Sequence, residues 1–187
     1  MLNNMVAVTM VFLVACGGDD GGGGGGGGVD APRMIDAPGG GGGCTSSPDN
    51  CTGENVCVNS SCVAAFPRVY SVRNIRVMLP TTDPDGAGWD AGGGAPDIFV
   101  NVYVAALVGT SPVVDNVFAA TFPGPFDVSL VGGGTLTVEA LDEDVTVNDV
   151  AVRCTANPIT AANVRSRALA CSATATTGSI AFDIAPK

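Results

Sequence analysis

Histidine is absent from this chain of 187 residues, and lysine occurs once, at Lys187. Histidine is the commonest general base and a frequent metal ligand, so its absence excludes Ser-His-Asp and Cys-His catalysis within the chain. Basic residues are scarce, 8 against 18 acidic ones, and the net charge is −10. Nucleic acids and anionic lipid surfaces require Lys/Arg patches that such a chain lacks. We therefore expect no nucleic-acid partner and no enzymatic activity.

The N-terminus lacks an apolar run long enough to cross a membrane. Met5–Ala15 has 11 residues, whereas a membrane-spanning helix needs about 20. This length is typical of the apolar core of a signal peptide, and the small Ala15 suits cleavage. The sequence LVAC that ends at Cys16 resembles the lipobox of bacterial lipoprotein precursors.

This resemblance implies that residues 1–15 are a removed signal peptide and that Cys16 carries the lipid that anchors the protein to a membrane. Gly17, rather than Asp, follows the cysteine, which by analogy with enteric bacteria favours the outer membrane. We expect a location in the bacterial cell envelope, and the sequence leaves the membrane leaflet open.

The seven cysteines are an odd number, which lipidation of Cys16 reduces to six. An even number of cysteines in an exported protein predicts disulfides. They form two groups in the sequence, the first being Cys44, Cys51, Cys57 and Cys62, and the second Cys154 and Cys171. If the groups do not mix, Cys154 pairs with Cys171, and the pairing within the first group stays open. Zinc binding is disfavoured there because the spacing is wider than that of most zinc ligand pairs.

Composition divides the mature chain into three parts. Residues 16–43 are a glycine-rich linker, which cannot bury enough apolar surface to offset its ordering entropy and is expected to be disordered. Residues 44–65 are a small disulfide-rich module. Residues 66–187 contain short runs with alternating apolar residues, among them 69–79, 98–104, 135–140 and 180–184. About eight such runs in about 120 residues predict an all-β fold, an antiparallel eight-stranded β-sandwich.

Two loops of this domain concentrate the carboxylates. The first contains Asp83, Asp85, Asp90 and Asp97, and the second contains Asp142, Asp144 and Asp149. Repulsion between carboxylates this close raises the pKa of at least one of them unless a cation lies between them. Ca²⁺ is such a cation and takes six to eight hard oxygen ligands. The alternative is that these loops are solvated turns, where Asp is common.

The sequences DAGGGAPDIFV (90–100) and LTVEALDEDVTVND (136–149) resemble the two calcium-binding loops of the C2 domain family. The resemblance implies a C2-like sandwich in which Asp90, Asp97, Asp142, Asp144 and Asp149 bind one or two Ca²⁺ ions. Asp83 and Asp85 lie outside the family pattern as possible extra ligands. Trp89 is either an exposed contact or packs on its loop. Phospholipid contact is possible, but the missing basic patch disfavours it.

We therefore expect a membrane-anchored lipoprotein whose calcium-binding C2-like module mediates envelope or surface interactions with a partner that the sequence does not identify. The alternative is a calcium-independent β-sandwich that recognises a protein or a glycan, although aromatic residues, the usual sugar platforms, make up only 5% of the chain. A small hydrolase that uses paired carboxylates is the least favoured interpretation.

Overall fold

A computed structural model describes residues 43–83, 86–90, 93–144, 148–172 and 178–187. The predicted signal peptide, Cys16, nearly all of the linker, and Asp85 lie outside the described residues. Among the described residues, no helix has the length and apolarity needed to span a membrane.

The described residues form strands of four to eleven residues and one short helix. In chain order they are β1 Asn55–Val58, β2 Ser61–Ala64, β3 Arg68–Met78, β4 Ile98–Val104, β5 Ala106–Thr110, β6 Ala119–Phe122, β7 Phe126–Leu130, β8 Leu136–Asp142, β9 Asp149–Ala156, α1 Ala161–Arg165, β10 Ala168–Ser172 and β11 Ser179–Pro186.

Two antiparallel sheets form the sandwich. One has the order β10-β11-β3-β6, with β7 also paired to β3, and the other has the order β5-β4-β8-β9. β6 pairs with Ile75–Met78 of β3 and β7 pairs with Arg68–Val72, so β6 and β7 share one position in the sheet. The two sheets therefore contain eight strand positions, which confirms the predicted antiparallel β-sandwich.

The sequence Pro123-Gly124-Pro125 separates β6 from β7, because proline cannot donate a hydrogen bond to the ladder. The facing strand adapts at Asn74, which has a φ of +51° and donates its N–H to the Pro123 carbonyl. Tyr70 and Val72 before this residue and Ile75 and Val77 after it are all buried. Asn74 thus shifts the alternation of β3 by one residue and keeps both halves of the strand facing the core.

The six cysteines of the described residues form three disulfides, Cys44–Cys57, Cys51–Cys62 and Cys154–Cys171. The first two lie in the module that includes the β1–β2 hairpin, and the third joins β9 to β10 and thereby links the two sheets. Val56 and Ala65 are completely buried in the same hydrophobic core as the sandwich. The module and the sandwich therefore belong to one compact unit.

Two arginines at the end of α1 and just after it fasten the module. Arg165 donates to the carbonyls of Gly53 and Asn55, and Arg167 donates to the Cys57 carbonyl and to the carboxylate of Asp49. The Asp49 side chain is fully buried and also accepts the N–H groups of Cys51 and Cys57. Because this carboxylate is buried, removing its charge would leave the Arg167 guanidinium without a counter-charge.

We expect Asp49→Asn to lower the free energy of unfolding by about 3 kcal/mol, because it leaves the Arg167 guanidinium without its buried counter-charge. Urea denaturation under oxidising conditions measures this change. Asp183→Asn is the matched control: it breaks the more exposed ion pair with Arg76 and should cost less than about 1 kcal/mol. Equal effects of the two variants would contradict a stabilising role for the buried Asp49–Arg167 ion pair.

Candidate metal site

The strand register brings the two acidic loops to the same end of the four-stranded sheet. β4 begins at Ile98, directly after Asp97, and Ile98 pairs with Asp142 at the end of β8. Asp142 pairs in turn with Asp149, the first residue of β9. The loop that carries Asp83 and Asp90 leads from β3 to this same row.

Asp90, Asp142 and Asp144 form the carboxylate cluster at this end. Each offers a carboxylate oxygen, and these oxygens all lie within 4.8 Å of one another. Asp142 is only 1% exposed, whereas Asp90 and Asp144 are partly exposed. The cluster therefore has one buried carboxylate and two carboxylates nearer to solvent.

Local backbone geometry holds Asp90 in place. Trp89 is buried and donates its indole N–H to the Pro80 carbonyl at 2.9 Å, so it packs on the loop and is not an exposed loop tip. The Gly93 N–H donates to the Asp90 carbonyl at 2.9 Å, and Gly93 itself has a φ of +85°. A Cβ on Gly94 would lie 2.6 Å from Asp90 Oδ2, so the carboxylate occupies space that only glycine leaves free.

Asp97 makes contacts different from those of the cluster. Its N–H donates to Asp142 Oδ1 at 2.8 Å, and its carbonyl accepts the N–H of Glu143 at 2.9 Å. Its own Oδ1 accepts the N–H of Asn116 at 2.7 Å. Asp97 thus fixes the end of β8 and ties the 111–118 segment to it. Asn116 is not among the residues predicted from the sequence; the only signal for it there is the Asp115-Asn116 pair, which is typical of a turn.

The remaining predicted ligands occupy separate positions. Asp149 is exposed and lies across from Asp142, where paired Cα atoms are about 4.5 to 5.5 Å apart. Asp83 Oδ1 accepts the N–H of Ala87 at 2.9 Å within its own turn. Asp85 is outside the described residues. The structure therefore brings three of the five predicted ligands into one cluster.

The electrostatics of the cluster favour a cation. The pKa of Asp142 is raised to about 6, mainly by burial. The negative charges of Asp144, Asp90 and Asp97 contribute to this rise, and the hydrogen bond from the Asp97 N–H opposes it. Each of the three carboxylates offers one hard oxygen to the cluster, and Ca²⁺ takes six to eight oxygen ligands, which include backbone carbonyls and water. The residues present fit a calcium ion, because its charge would relieve the repulsion that raises this pKa.

Comparison with known proteins identifies the fold. No family model and no curated protein matches the sequence. Among solved structures, a C2 domain has 18% identity and a TM-score of 0.50, covering 64% of this chain and 97% of its own. The calcium-bound pair of C2 domains of extended synaptotagmin 2 has 17% identity and a TM-score of 0.50, with 64% and 45% covered. The same pair of domains together with the SMP domain of that protein has 16% identity and a TM-score of 0.51, with 64% and 27% covered. The sandwich is therefore C2-like.

The raised pKa of Asp142 predicts a pH dependence in the metal-free protein. The folded state holds the Asp142 proton more tightly than the unfolded state does. Protonated Asp142 therefore contributes to the free energy of unfolding fully below about pH 4, and this contribution is lost as the pH rises through about 6. We expect wild type to lose about 3 kcal/mol relative to Asp142→Asn between pH 4 and pH 7. Urea denaturation of both proteins in chelator measures this difference, and parallel pH profiles would contradict it.

Proposed function

We propose that this protein is a lipid-anchored lipoprotein of the bacterial cell envelope whose C2-like domain binds Ca²⁺ and mediates envelope or surface interactions. The observation that carries the calcium proposal is the cluster of Asp90, Asp142 and Asp144, assembled from two loops with one member buried. The lipobox sequence at Cys16 supports the anchor, and the three disulfides support an oxidising compartment.

In this proposal the protein's own residues prepare the site before the ion arrives. Asp142 supplies the buried carboxylate, oriented by the Asp97 N–H. Asp90 and Asp144 supply the two carboxylates nearer to solvent, and Asp149, across from Asp142, is the candidate for an additional ligand. A bound Ca²⁺ supplies positive charge that neutralises the cluster and links the two loops. The role is binding, and we expect no catalysis.

Terbium luminescence tests the calcium site directly, because Trp89 is the only tryptophan and precedes Asp90. We expect Tb³⁺ to give sensitised emission that Ca²⁺ displaces. Ca²⁺ at 100 times its Kd should add about 2.7 kcal/mol to the free energy of unfolding. Asp144→Asn should weaken binding at least tenfold, while Asp127→Asn on β7 should leave it unchanged. Equal binding by the two variants, or no calcium-dependent stabilisation, would remove calcium from the proposal.

Gly94→Ala is a second arm of this experiment. Its methyl group would displace the Asp90 carboxylate, whose atoms are the nearest to a Cβ at this position, so we expect weaker Tb³⁺ binding. Gly132→Ala is the control, since both glycines are in loops, neither has a left-handed φ, and a Cβ at Gly132 would meet Phe66 at 3.3 Å, away from the carboxylates. Unchanged Tb³⁺ affinity in Gly94→Ala would argue against Asp90 as a ligand.

Fractionation of a bacterium that expresses the full chain tests the anchor. We expect wild type in the outer-membrane fraction, with the mass of residues 16–187 plus lipid, and Cys16→Ser outside it, because only cysteine can form the thioether. A wild-type protein that keeps Met1, or a Cys16→Ser variant that stays in the membrane, would contradict lipidation.

A further inference from the structure

The outer face of the β5-β4-β8-β9 sheet carries a depression of about 450 Å³. Its lining consists of Tyr103, Thr137, Glu139, Arg153 and Thr155, which we call the polar face. The depression is shallow and open to solvent, so a ligand there would lie along the sheet rather than inside a closed cavity. None of these residues belongs to the carboxylate cluster.

The strand register assembles the polar face in two adjacent rows. Tyr103 on β4 pairs with Thr137 on β8, which pairs with Thr155 on β9. In the neighbouring row Glu139 lies between Asn101 and Arg153. Because side chains alternate along a strand, these residues project away from the sandwich core.

Glu139 is the unusual member of the face. It lies on the outer side of a sheet, yet its side chain is only 10% exposed. Arg153 Nε donates to its carboxylate. For comparison, the side chain of Asp183, which forms a cross-strand ion pair with Arg76 in the other sheet, is 32% exposed. The Glu139 carboxylate is therefore enclosed and oriented by its neighbours.

A wider network fixes the side chains around it. Asn101 Nδ2 donates to the Tyr103 hydroxyl at 3.2 Å, and Thr110 Oγ1 donates to Asn101 Oδ1 at 2.6 Å. The hydroxyls of Thr137 and Thr155 share a hydrogen bond at 3.1 Å. Such a network loses little conformational entropy when a ligand binds, because its polar groups are already ordered.

The charges of the polar face restrict the class of ligand. Glu139 and Arg153 cancel, so the lining has no net charge, within a chain whose net charge is −10. An anionic ligand would meet the repulsion of the whole chain, and a cation would meet the Arg153 guanidinium. A neutral ligand that is rich in hydrogen-bonding groups suits this lining.

We propose that the polar face is a binding site for a short neutral glycan. The Tyr103 ring packs against the C–H groups of a sugar, and the threonine hydroxyls act as donors and acceptors for its hydroxyls. Arg153 uses Nε for Glu139 while its side chain is 57% exposed, so its Nη groups donate to the ligand. One ring gives a small contact area, and we expect a Kd of about 1 mM.

The polar face is separate from the metal site, so the two proposals fail independently. Glu139 precedes Asp142 by three residues on β8, which places their Cα atoms about 10 Å apart. Glycan binding should therefore persist when a chelator removes all divalent cations.

Saturation-transfer NMR of the full chain in chelator tests this proposal. The probes are neutral disaccharides of glucose, galactose, mannose and N-acetylglucosamine, with uronic-acid disaccharides as the charged comparison. We expect at least one neutral disaccharide to bind at 10 mM or below. Tyr103→Ala and Thr155→Val should each weaken this binding at least threefold, as determined by titration.

Arg76→Gln on the other sheet is the matched control and should leave binding unchanged. Circular dichroism and the Tb³⁺ titration of each variant show that the fold and the metal site are intact. The proposal is overturned if no neutral disaccharide binds, if the acidic disaccharides bind more tightly, or if chelator abolishes binding. Equal binding by wild type and both face variants would also overturn it.

Discussion

The pairing of β8 between β4 and β9 is the constraint on which both proposed sites depend. Every residue of β8 except Thr137 is buried, and the register places Ile98, Asp142 and Asp149 in one row at the end of the sheet. The same register places Asn101, Glu139 and Arg153 in a row three residues earlier. A slip of one residue would turn each of these side chains to the opposite face. The hydrophobic core residues of β8 therefore fix the positions of its two carboxylates, Glu139 and Asp142.

β8 buries two carboxylates, and the fold compensates them in different ways. Glu139 has a guanidinium partner in Arg153, so its charge is balanced within the protein. Asp142 has one backbone N–H, from Asp97, while the charges acting on it come from three other aspartates. A buried charge without a counter-ion is costly and lowers its free energy by protonation or by binding a cation. This difference separates a site that suits a metal from one that suits a neutral ligand.

The sequence predicted the features that follow from short-range patterns. Alternating apolar residues predicted the sandwich, and the even number of cysteines left after Cys16 predicted disulfides. Of the five ligands predicted in the two Asp-rich loops, the structure clusters three. Contacts between distant segments could not be read in the same way. The bond from Asn116 to Asp97 and those from Arg165 and Arg167 to the module join residues 19 to 118 positions apart. The left-handed Asn74, which shifts the alternation of β3, depends on the Pro123-Gly124-Pro125 interruption of the facing strand.

The disulfides and the carboxylate cluster lie at different places along the strands, which affects how the domain responds to an ion. The cystine module is fastened through α1, which follows the end of β9 that pairs with Leu136. The cluster lies at the opposite ends of β8 and β9, at Asp142 and Asp149. Local opening requires only the loss of local contacts, and a disulfide restrains the chain mainly within its own loop. The contacts of Asp90 and Asp144 are therefore separate from those that hold the module and the link between the sheets. An ion at the proposed site would therefore act on contacts at one end of the domain, away from the disulfide-bonded module.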